Sequence, residues 1–172
     1  MAIYKETDCP FVYRVTAVKK VVDGDTLDAI FDLGFDVMYC SRVRLLGIDT
    51  PESRTSDKVE KVYGLLSKKA LKKWVHWAVE SDRDDVDIEI RCPEADSRGK
   101  FGRILGEVWV HCGEEDHEYY GWTNVNKWMC ENAQAVGYWG QNKDDVRGEH
   151  MNNRRVLAEE DIQDYIDDER QR

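Results

Sequence analysis

Two short stretches hold the residues best suited to chemistry. The first is Asp23-Gly24-Asp25-Thr26, and the second runs from Arg44 through Leu45, Leu46, Gly47, Ile48, Asp49, Thr50 and Pro51 to Glu52. If the strands bounded by these stretches pair antiparallel, the hairpin between them carries the chain out and back, and Asp49 returns to the sheet edge at which Asp25 begins. Two carboxylates brought together repel unless a cation lies between them, and a hard divalent ion with oxygen ligands, Ca²⁺ or Mg²⁺, suits the pair. Glu52, three residues beyond Asp49, then stands close enough to take a proton from a water beside that ion as a general base. Asp-Gly alone is a common hairpin turn, and Asp-Thr-Pro-Glu alone a common strand end before a helix cap, so the two together carry the weight. The matching cations are Arg44 and Arg103, the latter within Lys100-Phe101-Gly102-Arg103. Two guanidiniums donating paired hydrogen bonds hold a phosphate and stabilise the charge that builds on a pentacoordinate transition state.

The elements that must position these residues follow from periodicity. β-branched and aromatic residues over 11–22 read as a long strand closed by Asp23-Gly24-Asp25. A second strand over 26–31 turns at Leu33-Gly34 into a third over 36–48, which makes an antiparallel meander. The period then changes from two to about 3.6, with Val62, Leu66, Ala70, Trp74 and Ala78 four apart, and predicts an amphipathic helix over 59–81. Its Lys68, Lys69, Lys72 and Lys73 form the densest positive cluster in the chain and read as a solvated surface. Alternation over 86–92 and a run over 104–110 give a fourth and a fifth strand. Helices are expected over 123–134, capped by Thr123 or Asn124, and over 144–160. The expected class is α+β with a mainly β core: an OB-type five-stranded barrel with three helices.

A chain of 172 residues fits one domain, and 41% apolar residues supply a core. The reading divides it into an N-terminal segment, 1–10, a barrel domain, 11–156, and an acidic tail, 157–172. No apolar run approaches the roughly 18–20 residues that span a bilayer, and the first residues lack an apolar leader core, so a cytoplasmic protein without membrane partners is expected. The net charge of −10 argues against indiscriminate binding to phosphate backbones. Half of that charge sits in the tail, where seven acids face two bases. Five cysteines without C-x₂-C spacing read as reduced thiols. His111, Cys112 and His117 do not make a zinc site, because adjacent strand residues point to opposite faces.

On Asp23-Gly24-Asp25-Thr26, Arg44 through Glu52, Tyr63-Gly64 and Lys100-Phe101-Gly102-Arg103, the chain resembles the staphylococcal nuclease (thermonuclease) family over roughly 11–140. The resemblance implies Ca²⁺-dependent hydrolysis of DNA and RNA to 3′-phosphate ends, with single strands the preferred substrate. It implies Asp25 and Asp49 as metal carboxylates, Thr50 as a further ligand through its backbone carbonyl, and Glu52 as the base. Arg44 and Arg103 become the phosphate-binding pair, and Asp23 an outer acid near the metal. Lys100 is expected to contact substrate. Tyr138 and Trp139 match the family's nucleotide-facing tyrosines loosely, as candidates for stacking on a base or, equally, as core aromatics. The acidic balance and Phe101, in place of a frequent tyrosine, depart from the pattern. A monomer is expected. The alternative is a noncatalytic OB-type module that binds nucleic acid or a protein partner.

Overall fold

The computed structural model describes residues 3–81, 85–157 and 162. The acidic tail expected at the C-terminus lies outside the described residues from 158 on, except for Ile162.

The first three strands are β1 (Phe11–Asp23), β2 (Thr26–Asp32) and β3 (Met38–Leu45), paired antiparallel in sequence order. The register between β1 and β2 slips at three places along β1, between Val15 and Ala17, Val18 and Lys20, and Val21 and Asp23. Each irregularity bends and coils a strand, and three of them let one long strand wrap instead of running flat. A two-residue strand, β4 (Ile48–Asp49), follows, and then α1 (Lys58–Glu80), β5 (Val86–Cys92) and β6 (Ile104–Cys112). β5 pairs with both β1 and β6, and β6 returns to β3 in parallel, with Arg44 opposite Leu105. That last pairing closes β1, β2, β3, β5 and β6 into a five-stranded mixed barrel, as the expected class requires. β7 (Gly121–Asn124) extends the sheet beyond β6, α2 (Val125–Glu131) and β8 (Val136–Gly137) follow, and α3 (Lys143–Val156) is the third helix.

The barrel interior follows from alternation. Leu27, Ala29 and Phe31 of β2, Val43 and Leu45 of β3, Ile88 and Ile90 of β5, and Val108 and Val110 of β6 are all buried. α1 begins at Asp57, whose carboxylate accepts from the Val59 and Glu60 amides, and it lays Leu71, Trp74, Val75 and Ala78 on the barrel. The N-terminal segment is tied down by a buried acid. Glu107 accepts from the Tyr4 hydroxyl, from Trp109 Nε1 at 2.9 Å and from Asn124 Nδ2 at 3.1 Å. All five cysteines are free thiols, and among the described residues no helix is long and apolar enough to cross a membrane.

Three expectations are corrected. The third strand does not run unbroken over 36–48: Gly47 takes φ 72° and splits it into β3 and β4. The helix expected over 123–134 starts two residues later, after its cap Asn124, whose side chain accepts from the Lys127 amide, and it ends at Glu131. The turn placed at Leu33-Gly34 lies slightly later, at Gly34–Val37, where the Val37 amide donates to the Gly34 carbonyl at 2.9 Å. Its two central residues, Phe35 (φ 52°) and Asp36 (φ 61°), are both left-handed, the geometry that favours Asn-Gly in a two-residue hairpin. Phe35 is 100% exposed and loses no packing when replaced. The double change Phe35→Asn with Asp36→Gly is therefore expected to add about 1 kcal/mol of stability, or about 2–4 °C in a thermal melt.

Candidate active site

The β2–β3 register sets Thr26 opposite Arg44 and Asp28 opposite Arg42. Asp25, one residue before the paired run, has its carbonyl bonded by the Leu45 amide at 2.8 Å, which fixes it at the open end of the β3 hairpin. Asp49 arrives at the same end on β4, held by pairing with Val136 of β8. The out-and-back path of the hairpin thus brings the two aspartates together.

Between them lies the Arg44 guanidinium. Its Nη1 donates to the Leu45 carbonyl at 3.0 Å and the Ile48 carbonyl at 2.9 Å, while Nη2 stands 3.0 Å from Asp25 Oδ2 and 3.4 Å from Asp49 Oδ1. Asp25 is buried, and its carboxylate also accepts from the Thr26 hydroxyl at 2.8 Å and the Thr50 amide at 3.3 Å. Burial raises the Asp25 pKa above the usual carboxylate value; Arg44 and the Thr26 hydroxyl oppose the rise, and the nearby Asp49 adds to it. A second cation close to both aspartates would relieve that cost. The available donors are all hard oxygens, as Ca²⁺ prefers, so the residues present fit such an ion. They supply two carboxylates and no third acid as a ligand: among the described residues no group of three or more His, Cys, Asp or Glu is arranged to hold a metal.

Glu52 sits at the mouth of the same cleft. Its backbone rests on α1, where a Cβ at Gly64 would come within 2.5 Å of the Glu52 carbonyl carbon and 2.6 Å of its oxygen, so only glycine permits this approach. Partial burial of the carboxyl, and then Asp23, Asp25 and Asp49, raise the Glu52 pKa. An acid raised in this way suits a proton acceptor working nearer neutral pH. Asp23 is buried beside it, accepting from the Ser53 amide at 3.2 Å and lying 3.7 Å from Arg54 Nη2.

Asp23, Asp25, Arg44, Asp49, Glu52 and Arg103 all line one cleft of about 770 Å³. Arg103 reaches it from the turn before β6; its Nε donates to the Lys100 carbonyl at 3.2 Å, and its guanidinium lies 5.9 Å from the centre of the Phe101 ring. Phe101 is 94% exposed on a left-handed backbone, φ 63°, at the cleft edge. Thr50 meets the site through its amide to Asp25. Lys100, Tyr138 and Trp139 are not among the lining residues. Lys100 contributes its carbonyl to Arg103, and the Tyr138 amide donates to the Gly47 carbonyl at 2.8 Å. The Trp139 ring covers Gly47 and stands 6.3 Å from the Tyr4 ring.

The cleft also holds residues that the sequence reading passed over. Arg42 donates to both carboxylate oxygens of Asp28, at 2.7 and 2.9 Å, and Lys19 and Arg54 stand on the walls. The alternation Arg42-x-Arg44 was the available signal for Arg42, since residues two apart share a strand face. A second concavity of about 580 Å³ between α1 and α2 is lined by Trp74, Trp77, His117, Tyr119 and Trp128 together with Lys69 and Lys73. Among the described residues no carboxylate lines it, so these offer no counterpart to the acid cluster.

The family described as staphylococcal nuclease homologue matches residues 42–163. The thermonuclease of Staphylococcus intermedius is 36% identical over 93 residues, 54% of this chain and 47% of that protein. The matched region therefore spans about half the length of that relative.

Proposed function

The chain belongs to the staphylococcal nuclease family, and from that membership we propose that it is a calcium-dependent nuclease that hydrolyses DNA and RNA, single strands preferentially, to 3′-phosphate ends. One observation carries the proposal: two aspartates share a single guanidinium nitrogen at the floor of a cleft that also presents an acid of raised pKa and a second arginine. A phosphodiester in that cleft meets cations suited to its charge and an acid suited to its water.

Asp25 and Asp49, with the backbone carbonyl of Thr50, would hold the calcium ion, which supplies positive charge at the phosphate in a region the aspartates would otherwise make repellent. Glu52 takes a proton from the attacking water onto its carboxylate. Arg44, held at both Nη atoms by two carbonyls and two carboxylates, has its Nε hydrogen left to give to the phosphate from a rigid position. Arg103 donates from the opposite loop as charge grows on the phosphoryl oxygens. The bond from phosphorus to the 5′ oxygen breaks, that oxygen is protonated from solvent, and phosphate remains on the 3′ side. Phe101, at the rim, offers an aromatic face to a base, and Lys100, Tyr138 and Trp139 are candidates for contacts farther along the strand. The protein acts as a monomer in this proposal.

Incubation with single-stranded DNA, in calcium or in excess chelator, tests it. Fragments bearing 3′-phosphate in calcium and none in chelator are expected. Binding without cleavage in both conditions would leave the noncatalytic module instead.

A further inference from the structure

The face of Asp49 turned away from Arg44 is not open. His150, near the middle of α3, places its Nε2 3.0 Å from Asp49 Oδ2, and its side chain is only 11% exposed. The contact joins residues 101 apart in sequence. Its other ring nitrogen, Nδ1, is buried with no hydrogen-bond partner among the described residues. For Nε2 to face a carboxylate oxygen at this distance it must carry the hydrogen. Among the described residues the imidazole thus has one polar contact, and that contact is Asp49. Neither His150 nor any other α3 residue lines the cleft, so the ring stands behind its wall.

The helix that delivers this ring is itself located by hydrogen bonds. α3 starts at Asn142, whose side chain accepts from the Asp145 amide at 2.9 Å. One turn past His150, the buried Asn153 donates to the Ala135 carbonyl at 2.9 Å. Ala135 immediately precedes β8, the strand that pairs with β4 and places Asp49 opposite Val136. The backbone of Asp49 and the ring against its carboxylate are therefore positioned by one connected unit of β4, β8 and α3.

We propose that His150 is a positioning residue for Asp49: it holds Oδ2, so that Oδ1 stays directed at the cleft, where it now faces Arg44, and is presented to calcium in a fixed orientation. The proposal rests on the reading of Asp49 as a calcium carboxylate. Carboxylates that ligate metals are themselves commonly hydrogen-bonded from behind, and loss of such a support typically weakens metal affinity about 10- to 100-fold. A purely structural tie between α3 and β4 would instead change the melting temperature and leave calcium affinity alone.

Calcium affinity of the full chain, titrated calorimetrically without nucleic acid, separates the two, with thermal melts in chelator alongside. His150→Leu, which cannot donate, is expected to bind calcium about 10- to 100-fold more weakly than the unaltered protein. His150→Gln, whose amide reaches about as far as Nε2, is expected to recover most of the affinity. Should the Leu protein fail to fold, His150→Asn, polar but too short to reach Oδ2, is expected to show the same weakening. Unchanged affinity in the Leu or Asn protein, alongside loss of calcium binding in Asp49→Asn, would overturn the role of His150 and leave Asp49 as a ligand. Calcium binding absent from the unaltered protein, or unchanged in Asp49→Asn, would overturn the underlying reading of the aspartates.

Discussion

Glu52→Gln is expected to lower the rate of DNA cleavage about 10²-fold or more while leaving the affinity for an oligonucleotide close to that of the unaltered protein. Glutamine keeps the shape of the side chain and loses only the ability to accept the proton of the attacking water. Glu52 lies at the exposed mouth of the cleft, and its backbone is held by the α1 contact at Gly64, so the change disturbs neither the barrel nor the two aspartates. The pH profile gives an independent reading. The base works only when deprotonated, so cleavage falls as pH drops through its pKa. Burial of its carboxyl, the largest cause, raises that pKa, so the acid limb of the rate profile is expected above the value of about 4.3 typical of a free glutamate. Single-turnover cleavage across a pH series measures both features. Cleavage by Glu52→Gln at the unaltered rate, with the acid limb intact, would assign the proton to another group.

Arg44→Lys is expected to reduce cleavage by on the order of 10²- to 10³-fold, the scale seen when one preorganised donor to a charged transition state is removed. Unlike Glu52→Gln, it should weaken oligonucleotide binding as well. The charge is conserved, but the geometry is not. Arg44 bridges two backbone carbonyls with one nitrogen and two aspartates with the other, and this network aims the planar fork. A lysine ammonium is one compact point on a flexible stem and cannot span the four partners. Binding measured by fluorescence anisotropy in the Glu52→Gln background, where cleavage is suppressed, separates affinity from rate. An Arg44→Lys protein that cleaves and binds like its parent would show that the fork contributes nothing beyond its charge.

Much of the barrel was legible because each element announces itself locally. β5 alternates over Val86–Cys92 as expected, and α1 follows its four-residue row of Val62, Leu66, Ala70, Trp74 and Ala78 to within a residue at each end. The closure was not legible in detail. β3 and β6 pair in parallel through only three register positions, between segments some sixty residues apart, and no local pattern encodes that meeting. β4 and β8, two residues each, are too short to leave a period, although they locate Asp49. The same division holds in the cleft. Asp25, Arg44, Asp49 and Glu52 could be brought together on paper because a single hairpin relates them. His150 could not, since its approach depends on how α3 docks after the whole barrel has formed. Tyr138 and Trp139 show the ambiguity of exposed aromatics: the sequence offers both stacking and packing, and the Trp139 ring is packed on Gly47 beside Tyr4.

Gly64 carries a consequence for anyone seeking a hardier version of this protein. Replacing a glycine inside a helix with alanine is a standard way to gain about 0.5–1 kcal/mol. Here the added methyl would displace the chain at Glu52, so the substitution most attractive for heat tolerance trades directly against turnover. Under the proposed function the close approach at Gly64 serves the placement of Glu52, and thermal improvement is better sought at the β2–β3 hairpin than along that helix.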